Sequence, residues 1–366
     1  MDNKVLKNEE KAVFTLRSLY KKYGYLPFKM SKFEEYDLYV RNKDFLVSER
    51  VITFNDTNGR LLALKPDVTL SIIKNTVDEA GCKQKVYYNE NVYRVSGSTH
   101  EFKEIMQTGI ECIGDIALYD IYEVLSLGAM SLNEISSDFA IDVSHMGVLK
   151  SILDEASDNE VFKKEITSLI SEKNSHEATA LCEKYQIEEK YKNKILSLVT
   201  AYGNMADVIK KLDPVCENEQ SKKALCELRA LCALLEKTEF KDKIKLDFSV
   251  VNDMNYYNGI VFKGFLNGIS EGVLSGGQYD TLMQRMGRKS GAVGFAIYLD
   301  LLEYLQSTKS EYDVDVLLIY SEKTDTLSLV NSINSYIEKG ICVSAQKSIP
   351  AKLRYKKIVY LDKEGC

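Results

Sequence analysis

The sequence predicts an α+β fold in which a mostly antiparallel sheet is flanked by helices. Two aromatic and β-branched runs, residues 85–95 and 104–114, are separated by a short polar segment, which indicates a β-hairpin. Strand-like alternation resumes at residues 244–250 and continues through 256–266, after a long stretch with helical spacing. These runs together predict a sheet of six or more strands, interrupted along the chain by helices.

Composition narrows the class of protein. The chain has 366 residues, of which 45% are hydrophobic and 28% are charged, and this excludes a disordered protein. The 48 Lys and Arg residues against 54 Asp and Glu residues leave a net charge of -6, which excludes a generally basic nucleic-acid wrapper and disfavours tRNA binding. No apolar run reaches the roughly 18 residues of a membrane helix, and the N-terminus has no apolar signal core. We expect a cytoplasmic protein with no membrane partner.

The first 64 residues and the segment after them are predicted to form short elements. Residues 13–20 place their apolar side chains on one helical face, and Gly24 follows as a helix stop. Residues 45–64 surround an Asn-Gly turn and are typical of short strands. A helix is predicted to begin near Pro66, and a longer one covers residues 119–132.

The domain organisation follows from shifts in composition. Residues 149–243 are rich in Leu, Glu, Lys and Ala, nearly free of Gly and Pro, and predict an all-helical insertion. The main domain is expected to cover residues 1–310 around that insertion. Residues 311–366 alternate between apolar strands and one helix that ends at Gly340, which predicts a small α/β C-terminal domain.

Neither cysteine nor histidine spacing predicts a metal site. The eight cysteines are scattered with no CxxC pair, and the three histidines, His100, His145 and His176, are isolated. Phosphate-binding, dinucleotide-binding and hydrolase signatures are also missing from the sequence. We therefore expect reduced thiols, no metal and no cofactor.

Polar residues on predicted strands and at a helix start are the candidates for a binding site. Gln107 and Glu111 are four residues apart on one strand and therefore share a face of the sheet. Asp67 and Thr69 stand where a helix begins. Each pair also has an ordinary interpretation, because the first could lie on a solvated face and the second could simply cap the helix.

Aromatic residues beside glycines form a second set. Tyr256 and Tyr257 are predicted to begin a strand, and the Gly276-Gly277 pair precedes Tyr279. Adjacent glycines let another part of the chain or a ligand approach the backbone closely. The ordinary interpretation is a turn beside core tyrosines.

Five segments, taken in the order in which they follow one another along the chain, resemble segments of the catalytic core of class II histidyl-tRNA synthetase and its non-synthetase relatives. The second class II motif is similar to KVYYNENVYRV and EFKEIMQTGIECIG, and the third to GAVGFAIYLDLLEYL. The segments LLALKPDVT, NYYNGIVF and LSGGQYDTL look like the family's remaining histidine-site elements. The resemblance covers roughly residues 8–308 outside the helical insertion. It implies a class II aminoacyl-tRNA synthetase-like fold.

The resemblance also implies a pocket for free histidine. An imidazole ring needs both an acceptor and a donor, and Glu111 and the Tyr257 hydroxyl would serve its two nitrogens. Asp67, Thr69 and Gln107 would satisfy the α-ammonium group. The histidine-binding residues implied in this way are Asp67, Thr69, Gln107, Glu111, Tyr256, Tyr257 and Tyr279.

The family's catalytic positions are degenerate in this chain. Arg94 matches the hairpin arginine, but the acidic residue after it is missing, and Glu101 stands where a second arginine is expected. Asn252 and Asn255 replace an arginine and an aspartate of the histidine-recognition segment, and Leu301 replaces the ATP-binding arginine of the third motif. Losing several charges that stabilise the transition state ends amino-acid activation.

A histidine pocket without synthetase chemistry resembles the regulatory subunits of bacterial ATP phosphoribosyltransferase. That resemblance implies a non-catalytic subunit, required for the first step of L-histidine biosynthesis and for feedback inhibition by histidine. Its implied partners are a short-form catalytic subunit, free L-histidine and a second copy of the chain in a homodimer within a hetero-oligomer. Two alternatives stay open: a divergent histidyl-tRNA synthetase and a stand-alone module that senses tRNA or histidine.

Overall fold

The computed structural model describes residues 6–43, 51–79, 81–95, 101–251, 256–305 and 311–361. It divides into two compact units, Met1–Leu305 and Gln306–Cys366. The strands of the first unit are β1 (Leu26–Pro27), β2 (Phe33–Glu35), β3 (Thr53–Asn55), β4 (Leu61–Leu64), β5 (Gln84–Val95), β6 (Phe102–Gly114), β7 (Phe139–His145), β8 (Tyr202–Asn204), β9 (Ile244–Asp247), β10 (Ile260–Leu266), β11 (Leu274–Gln278) and β12 (Gly291–Tyr298).

Eleven α-helices and a 3₁₀ helix accompany these strands in the described part of the first unit. They are α1 (Asn8–Lys22), α2 (Tyr36–Arg41), α3 (Thr69–Asn75), α4 (Leu118–Ile135), α5 (Met146–Ala156), α6 (Glu160–Ser171), α7 (Ser175–Lys184), α8 (Glu189–Val199), α9 (Met205–Leu212), α10 (Glu219–Leu235), α11 (Asp280–Arg285) and the 3₁₀ helix Leu299–Tyr304. None of the described helices is long and apolar enough to cross a membrane.

The centre of the first unit is a nine-stranded sheet. Its strand order is β1-β5-β6-β12-β11-β10-β7-β9-β8, and a separate small sheet has the order β2-β4-β3. Neighbouring strands of the large sheet are antiparallel except for the β1–β5 and β7–β9 pairs. The predicted fold class, a mostly antiparallel sheet flanked by helices, is confirmed.

The alternation of side chains along the strands divides the core in two. On β6, Ile110 and Cys112 point into a large core shared with α1, α4 and the helices that follow, whereas Ile113 belongs to a smaller core on the opposite face. On β12, Phe295 joins the large core and Ala292 the smaller one. The even positions of β6 are therefore covered by helices, and the odd positions face the region where the candidate site lies.

Helix α1 buries the apolar face that its sequence pattern predicts. Its buried residues include Leu16 and Tyr20, as the helical spacing predicted. The Tyr20 ring packs against Phe295 at a centroid distance of 6.2 Å, and its hydroxyl is 3.1 Å from Ser131 Oγ. The chain leaves the helix through Gly24 at φ +81, a conformation that glycine adopts at no steric cost.

The region predicted as all-helical contains a strand, so that prediction is wrong in one place. Residues Tyr202–Asn204 form β8 and pair antiparallel with β9 at the edge of the large sheet. Gly203 has φ +136, which breaks the helical backbone, and the Asn204 side chain accepts a bond from the Ala206 N–H at 3.0 Å to start α9. This Tyr-Gly-Asn segment therefore separates two helices and extends the sheet.

The second unit is a small parallel sheet with one helix. Its strands are β13 (Val314–Ile319), β14 (Val343–Gln346) and β15 (Tyr355–Tyr360), in the order β14-β13-β15. Helix α12 (Thr326–Glu338) lies between β13 and β14 in the chain, and the chain turns through Gly340 at φ +69. The predicted strands and helix of the C-terminal segment are confirmed.

Candidate functional site

A cavity of about 730 Å³ lies on the face of the large sheet that carries the odd residues of β6. Strands β6, β10, β11 and β12 supply its floor, and the start of α3 and the segment before β10 supply its walls. All seven residues of the implied histidine site line this cavity: Asp67, Thr69, Gln107, Glu111, Tyr256, Tyr257 and Tyr279. The fold therefore gathers residues that are up to 212 positions apart in the sequence.

Small residues make the cavity possible. Gly277, Gly294 and Glu111 are neighbours across three strands, and the next cavity-facing row contains Ser275 and Ala296. A β-carbon at Gly294 would overlap the Glu111 carboxylate, and one at Gly277 would lie 2.6 Å from the Tyr257 ring. The Gly276-Gly277 pair thus lies within strand β11 and not in a turn. Larger side chains in these rows would fill the space above the sheet.

Glu111 lies at the floor of the cavity and is 2% exposed. Its carboxylate accepts a bond from the Thr69 hydroxyl at 3.0 Å and another from the Tyr279 hydroxyl at 2.5 Å. Burial raises the pKa of Glu111 to about 8, and the two hydroxyl donors only partly offset this effect. Glu111 has no cationic partner in the described part of the chain, so a ligand N–H group that bonds to it would favour its ionised form.

Gln107 lies two rows along β6 from Glu111. It is 3% exposed, and it pairs in register with Glu90 on one side and Tyr298 on the other. Because the strand period is two, Gln107 and Glu111 share the cavity face, as the sequence predicted. The interpretation of these two residues as part of a solvated surface is wrong, because both are buried.

The start of α3 holds the acidic wall of the cavity. The Asp67 carboxylate accepts a bond from the Leu70 N–H at 2.9 Å, so Asp67 stabilises the helix start and lines the cavity at the same time. Burial raises the pKa of Asp67, against the opposing effects of the Leu70 N–H and of Arg94. Arg94 itself is held by a bond from its Nε to the Pro66 carbonyl at 3.0 Å.

Three tyrosines form an aromatic cluster that lines the cavity. The ring centroids of Tyr256 and Tyr257 are 4.5 Å apart, and those of Tyr256 and Tyr279 are 5.8 Å apart. The Tyr256 hydroxyl is hydrogen-bonded to Thr69, which joins this cluster to Glu111. Burial raises the pKa of all three phenols, so they stay neutral donors and acceptors at physiological pH.

The position of the first two tyrosines corrects a prediction. Strand β10 begins at Ile260, so Tyr256 and Tyr257 precede it instead of opening it. Asn258 sets this geometry, because its side chain accepts a bond from the Asp280 N–H at 2.8 Å and its own N–H donates to the Gln278 carbonyl at 3.1 Å. The segment is thereby directed across the end of β11, with both rings facing the cavity.

The degenerate synthetase positions, unlike the predicted histidine-binding residues, do not all line the cavity. Arg94 lines the cavity, whereas Leu301 lies in the 3₁₀ helix and packs against the large core. Glu101 is exposed immediately before β6. Asn252 and Asn255 lie outside the described residues. The first three therefore do not converge on one point.

Six polar residues of the cavity were not predicted as site residues, and two of them, Ser270 and Glu271, lie between β10 and β11. The other four are Tyr88, Lys263, Ser275 and Tyr298. Tyr88 and Lys263 stand on strands that the sequence did predict, whereas Ser275 lies in the glycine-rich segment whose ordinary interpretation was a turn. In strand β11, the period of two places Ser275 on the same face as Gly277. Tyr88, Lys263 and Tyr298 carried no separate signal, because their role depends on which strands become neighbours.

Comparison with known proteins shows which protein families have similar sequences. Residues 2–302 match the model of the family described as histidyl-tRNA synthetase. The ATP phosphoribosyltransferase regulatory subunit of Oceanobacillus iheyensis is 28% identical over 348 residues, which cover 93% of this chain and 85% of that protein. The regulatory subunit of Alkaliphilus metalliredigens is 30% identical over 292 residues, 76% of this chain and 72% of that protein.

Solved structures share the fold. A structure from Bacillus halodurans, described as an ATP phosphoribosyltransferase regulatory subunit/histidyl-tRNA synthetase, superposes with a TM-score of 0.77 at 22% identity, covering 96% of this chain and 93% of that one. A chain of the ATP phosphoribosyl transferase complex from Thermotoga maritima gives a TM-score of 0.62 at 21% identity, covering 80% and 97%.

Fold and site together define a histidyl-tRNA synthetase-like protein. Within that class, the chain belongs to the family of ATP phosphoribosyltransferase regulatory subunits. The predicted family and the predicted function, a regulatory subunit of ATP phosphoribosyltransferase in histidine biosynthesis, are both confirmed.

Proposed function

We propose that this chain is the histidine sensor of ATP phosphoribosyltransferase and has no chemistry of its own. The observation that carries the proposal is the Glu111 carboxylate, which is buried at the floor of the cavity and bonded only to the hydroxyls of Thr69 and Tyr279 in the described part of the chain. An imidazole N–H would give this group an additional donor and favour its ionised form, which burial alone disfavours.

The other residues that line the cavity also complement the hydrogen-bonding groups and charges of free histidine. The Tyr257 hydroxyl would serve the second imidazole nitrogen. Asp67, Thr69 and Gln107 would accept bonds from the α-ammonium group, with Asp67 supplying the negative charge. The cluster of Tyr256 and Tyr279 would exclude water from the ring. These roles are consistent with the geometry of the cavity, because all of these residues line it.

The sequence of the former catalytic positions supports a sensor over a synthetase. Asn252 carries no charge, and Leu301, which packs against the large core, cannot bind a phosphate. Removing one such preorganised charge typically costs 10²- to 10³-fold in rate, and here several are lost. A histidine that enters this cavity would therefore be bound and not activated.

The sensor acts through assembly in this proposal. The chain forms a homodimer within a cytoplasmic hetero-oligomer that contains the short-form catalytic subunit, which carries out the phosphoribosyl transfer. The chain is needed for that activity, and histidine binding shifts the complex toward an inhibited state. A coupling free energy of about 1–3 kcal/mol is typical of such effects, and by linkage the catalytic subunit must change histidine affinity by the same factor.

Calorimetric titration with L-histidine, alone and with the catalytic subunit present, tests the proposal. Glu111→Gln and Tyr257→Phe should each weaken histidine binding by about 1–3 kcal/mol, the usual cost of a lost buried partner, without unfolding the chain. ATP is the parallel ligand. Histidine-dependent pyrophosphate exchange would indicate a divergent histidyl-tRNA synthetase. Failure to bind histidine in both states would refute the sensor.

A further inference from the structure

A lysine that the sequence did not single out points into the cavity. Lys263 lies in the middle of β10, paired in register with Ser275 on β11. Its side chain is half-buried, and its stem crosses Gly272, where a β-carbon would lie 2.8 Å from the Lys263 Cγ. Glycine at position 272 therefore leaves room for this stem, and Lys263 lines the cavity together with Glu111.

Lys263 has no acidic partner in the part of the chain that the structure describes. No carboxylate oxygen there lies within 4.0 Å of its Nζ, including those of Glu271, which also lines the cavity, and the centroid of the Phe265 ring is 5.7 Å from Nζ. Asp142 is its register neighbour on β7, but the positive charges that act on Asp142 are those of Lys173 and Lys245. A lysine that lines a cavity and has no counter-ion within reach can pair with an anionic ligand.

The other cation of the cavity is already engaged. The Arg94 Nε donates to the Pro66 carbonyl, its charge acts on the buried Asp67 carboxylate, and its side chain is hydrogen-bonded to Tyr298. Of these two cationic side chains, Lys263 is therefore the one whose charge is available to a ligand.

A free amino acid brings a carboxylate on the same carbon as its ammonium group. With the ammonium group at Asp67 and the side chain at Glu111, that carboxylate needs a positive partner, which the neutral side chain at position 252 does not provide. We propose that Lys263 binds the α-carboxylate of the amino acid in this cavity and so selects amino acids over amines of the same shape. This inference rests on the proposed function.

The test compares L-histidine with histamine, which keeps the imidazole and the amine but lacks the carboxylate. Both ligands are titrated into the full chain, alone and with the catalytic subunit. The wild type should prefer histidine by about 10- to 100-fold, the range of a charge-assisted hydrogen bond. Lys263→Met should lower histidine affinity to that of histamine and leave histamine binding unchanged.

Two variants serve as controls. Lys245→Met removes another half-buried lysine of the same sheet that does not line the cavity, and it should keep the preference for histidine. Lys263→Arg retains the charge and should retain part of the preference, so the test stands even if Lys263→Met folds poorly.

The outcomes separate the two proposals. Equal losses for both ligands in Lys263→Met, or no loss for either, would overturn the carboxylate assignment and leave the histidine sensor intact. If the wild type binds neither ligand in either state, the sensor itself is refuted.

Discussion

The burial of Glu111 predicts a specific dependence of stability on pH. Burial raises its pKa to about 8 in the folded chain, against an ordinary value of 4.5. Between these two values the folded state holds a proton that the unfolded chain has released, so the free energy of unfolding falls as the pH rises. This loss is complete once the pH exceeds about 8, and it is absent below about 4.5.

The magnitude follows from the linkage relation. One pKa unit corresponds to about 1.4 kcal/mol, and between pH 5 and pH 8 the shift of this one group amounts to about 3 kcal/mol. Glu111→Gln removes the titration but keeps an oxygen that can accept a bond from Thr69 or Tyr279. The stability of the wild type relative to Glu111→Gln should therefore decrease by about 3 kcal/mol from pH 5 to pH 8.

Urea unfolding followed by far-UV circular dichroism measures this difference, because the chain has no tryptophan to report by fluorescence. Subtracting one variant from the other cancels the titration of the groups that they share. Glu134→Gln, at an exposed position of α4, is the matched control and should parallel the wild type at every pH. Parallel pH curves for the wild type and Glu111→Gln would refute the argument that burial dominates this site.

Two further variants test the packing around the site. Gly294→Ala places a β-carbon against the Glu111 carboxylate and should weaken histidine binding at least tenfold, as measured by calorimetry. The control is Gly128→Ala in α4, whose β-carbon would lie 3.5 Å from its nearest neighbour, and it should bind histidine like the wild type. Equal affinities of the two variants would contradict the close approach at Gly294. The fully buried Lys65 side chain forms an ion pair with Glu90, with 2.8 Å between Lys65 Nζ and Glu90 Oε2. Lys65→Met should lower the free energy of unfolding, measured with urea at pH 7, by about 3 kcal/mol, because it leaves Glu90 without its partner. A change of less than about 0.5 kcal/mol would show that the pair is not desolvated.

The hydrogen-bond partners of Glu111 are themselves buried in the protein. The residues that hold Glu111 are Thr69, at the start of α3, and Tyr279, which follows β11 and belongs to the smaller core. Tyr279, for example, is 2% exposed and contributes to packing as well as to the carboxylate bond. Packing of the core thus also holds this bond in place, whereas Leu301 lies in the 3₁₀ helix and does not line the cavity.

Local sequence determined the elements of this protein to a large extent. The aromatic and β-branched runs predicted β5 and β6, the period of two placed Gln107 and Glu111 on one face, and the helical spacing of residues 13–20 predicted α1. The resemblance of five ordered segments then identified the family. These inferences succeed because periodicity reflects which side of an element is buried, and this information is contained within a few consecutive residues.

Tertiary structure alone decided how those elements act together. The Glu111 carboxylate is held by residues 42 and 168 positions away, and no local pattern reports such contacts. The same is true of the Lys263 stem over Gly272 and of β8, which exists only because β9 offers it an edge. Strand order brings these groups together, and strand order depends on packing free energies summed over the whole chain. The sequence therefore determined the family and the polar residues that line the cavity, whereas the fold decided their burial, the direction of their pKa shifts and the presence of Lys263 beside them.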